Sequence, residues 1–139
     1  HGNIPEKGEI HAPIDRLPWN REQFGVVPGG KESVTRFKKL STISRQLSDG
    51  KKLQLSLCEV YPETGRTHQI RVHFKYLGYP LVGDYLYGGR KQSRDDREWA
   101  GRVMLHAWKI TFVHPMSHIP LAFEAPIPDD MKRILNFQF

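Results

Sequence analysis

Thr64-Gly65-Arg66-Thr67-His68-Gln69-Ile70-Arg71-Val72-His73 decides how this chain of 139 residues is read. Arg66, His68 and Arg71 cluster donor-bearing side chains around a glycine turn that opens a helix. Unpaired backbone N–H groups and the positive end of the peptide dipole converge at a helix N-terminus, so donors placed there suit a phosphate or a carboxylate. An arginine fork can hold either anion bidentately. A capped surface helix needs fewer cations than this. The segment therefore reads as part of an active site.

Outward from that stretch, the helix is expected over Thr67–Leu77, with Thr67 as N-cap and Gly78 closing it. Ile70, Phe74 and Leu77 fall on one stripe, and His68, Arg71 and Lys75 form a basic face elsewhere on the same helix. Downstream, residues 79–89 break into a loop in which Asp84 reads as a cap for local backbone N–H groups. Residues 90–98 read as a solvated, charge-rich stretch that includes Asp95 and Asp96. Residues 102–113 and 120–125 read as strands, and Asp129-Asp130 starts a short terminal helix through Leu135.

Upstream, Leu53, Leu55 and Leu57 alternate with Gln54, Ser56 and Cys58, the pattern of a half-buried strand. A partner strand is expected over Ser33–Thr42, joined to it by the turn chemistry of Ser48-Asp49-Gly50-Lys51. Residues 8–14 read as a short strand. Residues 15–32 read as loop, because Pro18, Gly25, Pro28, Gly29 and Gly30 interrupt them. No repeat, low-complexity tract or linker divides the chain, so one domain is expected.

Several chemistries are excluded. Gly25-Val26-Val27-Pro28-Gly29-Gly30-Lys31 has the spacing of a phosphate-binding loop, but Glu32 stands where a hydroxyl must ligate magnesium, and a strand follows. It reads as a glycine-rich turn. The seven histidines lack metal-ligand spacing, and His106 reads as a hydrogen-bonded interior residue. Cys58, the single cysteine, allows no internal disulfide and fits a reducing compartment. No Gly-x-Ser-x-Gly elbow occurs, and no apolar run reaches the length of a membrane span. With 21 Lys+Arg against 15 Asp+Glu, the net charge of +6 suits a polyanionic partner.

The same decamer, continued by Leu77-Gly78-Tyr79-Pro80-Leu81-Val82-Gly83-Asp84-Tyr85-Leu86-Tyr87-Gly88, resembles the RluA-type family of RNA pseudouridine synthases. The likeness extends through Gly8-Glu9-Ile10 with Pro13-Ile14, Gly30-Lys31 with Ser33 and Thr35, Leu105-His106-Ala107 with Phe112 and His114-Pro115, and residues 123–130. It implies an α+β fold, a mixed and mostly antiparallel sheet with packed helices, whose cleft holds RNA. The implied activity is isomerisation of uridine to pseudouridine in structured ribosomal or transfer RNA. No metal, nucleotide or other cofactor is implied, and the protein is expected to be a cytoplasmic monomer.

In this family the catalytic aspartate sits in an Arg-Leu-Asp motif followed by a tyrosine motif, and neither occurs here. Asp15-Arg16-Leu17 has the letters in the wrong order and place. Residues 1–139 are therefore expected to be the C-terminal portion of a single catalytic domain, inactive alone. The alternative is a non-catalytic RNA-binding or assembly module that keeps the scaffold. Arg71 aligns with the basic residue of the family's third motif. It is expected to pair with the absent aspartate and oppose the desolvation that would raise its pKa. Arg66, Thr67, His68, Gln69 and Lys75 are the expected RNA contacts.

Overall fold

The computed structural model describes residues 1–135 and is built on one long hairpin. Its elements, in order, are β1 (Lys7–His11), β2 (Ile14–Leu17), β3 (Asn20–Val26), β4 (Val34–Gln46), β5 (Lys52–Pro62), α1 (Gln69–Tyr76), α2 (Arg90–Asp96), β6 (Lys109–Val113), β7 (Pro120–Glu124) and α3 (Asp129–Leu135). Strands β4 and β5 pair antiparallel from Thr35↔Pro62 to Gln46↔Lys52, and β1 adds to the other edge of β4. Gly50, at φ 80°, supplies the positive backbone angle that the expected turn between β4 and β5 needs. Strands β6 and β7 form a separate hairpin. The expected α+β architecture, with antiparallel sheets and packed helices, is the one observed.

Residues 15–32 are not all loop, because β2 and β3 pair antiparallel across a tight connection at Pro18-Trp19. The breakers fall in that turn, at the strand end and beyond it, so they shorten the hairpin without preventing it. Of residues 102–113, only Lys109–Val113 is strand. Before it, Arg102 sends its guanidinium to the carbonyls of Val103 and Leu105 and to Asp130, replacing a ladder with side-chain bonds. Asp96 is not solvated but buried, where it bonds to the Gly83 N–H and the His1 ring. The glycine-rich run at 25–31 makes the expected turn into β4, with Ile14 and Lys31 exchanging backbone hydrogen bonds at 2.9 Å.

Helix α1 is the keystone, and it buries more than one stripe. Phe74 joins Ile4, Ile10, Ala12 and Phe37 in one apolar cluster, with Ile70 against it. Val72 packs with Ile14 and Tyr87 in a second cluster. At roughly 1.5–3 kcal/mol for each large apolar side chain removed from water, the two contacts hold the helix on both flanks. Leu77, expected on the apolar stripe, is exposed instead. The helix has already ended there: the Tyr79 N–H reaches the Phe74 carbonyl and the Gly78 N–H reaches the Lys75 carbonyl. This glycine-closed ending, with Gly78 at φ 85°, matches the expected stop.

Candidate active site

The helix start is where local sequence and tertiary structure part. Thr67 is not the cap. The chain enters α1 through His68, held in the left-handed region at φ 56°, with no side-chain capping bond. Gln69 organises the turn. Its Oε1 accepts from the Arg66 N–H (3.0 Å) and the Thr64 hydroxyl (2.7 Å), while its Nε2 donates to the Val34 carbonyl (2.9 Å) and Thr35 Oγ1 (3.0 Å). Thr64 Oγ1 in turn accepts from the Val34 N–H. One amide thus ties the segment before α1 to the start of β4, and its donors and acceptor are fully used. Because Gln69 is 4% exposed, its side chain is a brace and is not available to an RNA.

Beneath it lies His73, which has no exposed surface. Its Nε2 donates to the Ala12 carbonyl at 2.9 Å, since a carbonyl can only accept, and Nδ1 takes the Thr35 hydroxyl proton at 2.8 Å. Burial with these partners favours the neutral ring. Burial pushes its pKa down, against a smaller upward effect of the Ala12 carbonyl.

On the other side of α1, His68, Arg71 and Lys75 converge on Tyr87, as their expected common face requires. The Tyr87 hydroxyl accepts from the Phe24 N–H (3.2 Å) and contacts His68 Nδ1 at 2.9 Å. The Arg71 guanidinium carbon lies 4.9 Å from the ring centre, and the Lys75 ammonium nitrogen 5.6 Å. Desolvation and the nearby Arg71 cation lower the pKa of His68, with Asp84 partly opposing. Lys75, Thr67 and Arg66 are exposed, and Arg66 Nε donates to the Glu32 carbonyl at 3.2 Å. Arg66 therefore leans toward the start of β4 rather than toward Tyr87.

Arg71 has a carboxylate partner within this chain. Its Nε and Nη2 each meet an Asp84 oxygen at 2.8 Å, a bidentate pair in which Asp84 is wholly buried and Arg71 is 19% exposed. Asp84 also accepts from the Leu86 and Tyr87 N–H groups, so the local capping expected of it is present beside the long-range role that was missed. Burial drives the Asp84 pKa upward. The Arg71 hydrogen bonds, the backbone donors and the Arg71 charge more than offset this, leaving it below the ordinary carboxylate range. Arg71 is correspondingly held more firmly protonated, chiefly by its hydrogen bond to Asp84.

The turn that carries Asp84 is itself fixed. The Gly83 N–H donates to Asp96 Oδ2 at 2.7 Å, and Gly83 has φ 70°. A Cβ there would lie 2.0 Å from the Arg102 carbonyl oxygen, so only glycine fits. An apolar groove of about 430 Å³ runs elsewhere, between β5 and residues 104–109, and Arg71, Asp84 and Tyr87 do not line it.

Residues 1–76, which include the organising decamer and the whole of α1, match the family model described as RNA pseudouridylate synthase. The chain belongs to that family. A synthase relative, an uncharacterized RNA pseudouridine synthase of Chloroflexus aurantiacus, is 42% identical over 135 residues, covering 97% of this chain and 39% of the relative. Ribosomal large subunit pseudouridine synthase D of Neisseria meningitidis serogroup A is 39% identical, over 98% of this chain and 36% of its own length. The solved structure of human RNA Pseudouridylate Synthase Domain Containing 1 superposes with a TM-score of 0.71 at 29% identity, covering 90% of this chain and half of that one. The RluA-type reading of the sequence agrees with these relatives. This synthase-family chain spans about two-fifths of the length of the curated relatives it matches.

Proposed function

We propose that residues 1–139 form the C-terminal portion of a pseudouridine synthase catalytic domain, and that the complete polypeptide isomerises uridine to pseudouridine in structured RNA. The names of relatives such as synthase D favour ribosomal RNA over transfer RNA. The observation that carries this reading is Arg71: an arginine anchored along its Nε–Nη2 edge, whose Nη1 makes no hydrogen bond among the described residues. A cation presented in that way suits an ionised carboxylate supplied by the rest of the polypeptide.

The chemistry is an exchange of bonds. The target nucleotide is extruded from the structured RNA into the site. The N1–C1′ bond breaks, the base turns, and a C5–C1′ bond forms; a proton leaves C5 and N1 gains one. Composition is unchanged, so no oxidant or cofactor enters. The aspartate nucleophile must be ionised in a partly dry pocket, where burial alone would keep it protonated. Arg71 offsets that penalty. Arg66, Thr67 and His68 at the entrance of α1 and Lys75 in its last turn are proposed to contact RNA, Gln69 acting only behind them. The proposed setting is a cytoplasmic monomer working without metal or nucleotide cofactor.

The test has two arms. In the complete enzyme, Arg71→Ala should lower turnover by about a hundredfold or more, the scale seen when a preorganised electrostatic contact is removed. Arg71→Lys should recover part of it, since charge returns without the planar fork. The 139-residue chain alone, incubated with RNA lacking pseudouridine, should give no product. Product from the isolated chain, or normal turnover by Arg71→Ala, would refute the assignment.

A further inference from the structure

Resting on that role for Arg71, we propose that Asp84 is a positioning residue for the reaction: it fixes which edge of the Arg71 guanidinium faces the nucleophile. A surface arginine samples many rotamers, and an electrostatic partner is useful only where it is already aimed. Asp84 removes that freedom by occupying Nε and Nη2 together. The contact takes the Nε–Nη2 edge, so Nη1 and the outer proton of Nη2 are what remain for a second acceptor. Tyr87 limits motion out of the plane, because its ring lies 4.9 Å from the guanidinium carbon and its hydroxyl is tied to Phe24 and His68.

Asp84 is in turn unable to follow Arg71 if Arg71 moves. Its carboxylate accepts from two backbone N–H groups, its own carbonyl accepts from the Gly88 N–H at 2.7 Å, and Gly83 before it is locked by Asp96 and by the Arg102 carbonyl. A residue that merely capped this turn would need the backbone bonds alone. Burying the carboxylate completely against a partly exposed guanidinium goes beyond capping, and it gives the cation a fixed anchor on its protein side.

Asparagine separates the two duties. In Asp84→Asn the amide oxygen can still cap Leu86 and Tyr87, whereas the amide N–H group faces an Arg71 donor. In the complete enzyme this variant should lose about ten- to a hundredfold in kcat, the effect of a misplaced catalytic group, with KM for RNA unchanged. The acid limb of the kcat–pH profile should move to higher pH, because the nucleophile no longer has its cation in place. In an Arg71→Ala background the same change should cost nothing further. Asp84→Ser, which keeps one oxygen for the backbone, should give the same split and serves if the asparagine variant folds poorly.

Normal kcat with an unmoved acid limb would overturn the inference, as would a loss that adds in full to that of Arg71→Ala. A shift of the acid limb to lower pH would also overturn it, since that would mean Arg71 stays in place and Asp84 acts only as a nearby charge. The two levels of the proposal fail differently. A disabled Arg71→Ala beside a normal Asp84→Asn removes only the positioning role, while a fully active Arg71→Ala removes both.

Discussion

Replacing Gln69 by alanine should destabilise this chain without weakening RNA binding. The side chain makes four hydrogen bonds from a site 4% exposed to water. Alanine leaves the Arg66 N–H, the Thr64 hydroxyl, the Val34 carbonyl and one face of Thr35 without their partner. At a net contribution of about 0.5–1.5 kcal/mol for each bond, and allowing water to reach the outer two, the loss is on the order of 3 kcal/mol. A domain of this length changes stability by roughly 0.3 kcal/mol per degree near its midpoint, so Tm should fall by about 10 °C. The assay pairs thermal unfolding with RNA affinity measured well below the lowered Tm and expressed per folded molecule. Affinity should stay within about twofold of the parent. An unchanged Tm with affinity reduced tenfold would show that Gln69 points at RNA and that the brace is wrong.

The buried His73 makes stability depend on pH. Its folded pKa lies below the ordinary value, so below about pH 6.5 the unfolded chain binds the extra proton. Stability should be fullest above that pH and fall as pH drops toward the folded pKa, with a slope of at most about 1.4 kcal/mol per unit for this one group. Denaturant midpoints between pH 7.5 and 5 check it, and a flat profile would refute it. Asp84, held below the carboxylate range, should act only lower, its contribution lost as pH falls from about 4 through its folded pKa. Lys75→Ala should reduce the slope of log affinity against log salt by about one phosphate contact and leave turnover at saturating RNA unchanged. Arg66→Ala should weaken binding more, by its place at the helix entrance; an unchanged salt slope in both variants would remove them from the RNA surface.

Sequence patterning found what depends on neighbours in the chain. The β4–β5 hairpin, the Asp49-Gly50 turn, the Gly78 stop and the Asp129–Leu135 helix all follow from local alternation, backbone angles and capping. The β2–β3 hairpin escaped because turn residues stand close together in so short a pair, and its registry depends on packing near Tyr87. Polarity misled in one consistent way. A helical wheel sorts side chains by affinity for water, and Gln69 is expected outside, as an RNA contact; His73 is likewise polar and likewise buried. Both lie inside because Val34, Thr35 and Ala12 satisfy them from 34 to 61 residues away in sequence.

The same limitation governs the candidate site. Arg71 was legible because a string of donors at a helix entrance needs an explanation that capping does not give. Its partner was not, since Asp84 is 13 residues further on and carries a local signal, the capping of Leu86 and Tyr87, that accounts for it fully at short range. A residue with a sufficient local role gives no sign of a distant one. The decamer is dense in polar groups for two separate reasons: Thr64, Gln69 and His73 turn inward to tie α1 to β4, while His68 and Arg71 meet Tyr87 on another face. The inward set fixes the helix and the outer set aims a cation from it. Loss of an inward residue should therefore appear first in stability, and loss of Arg71 first in turnover.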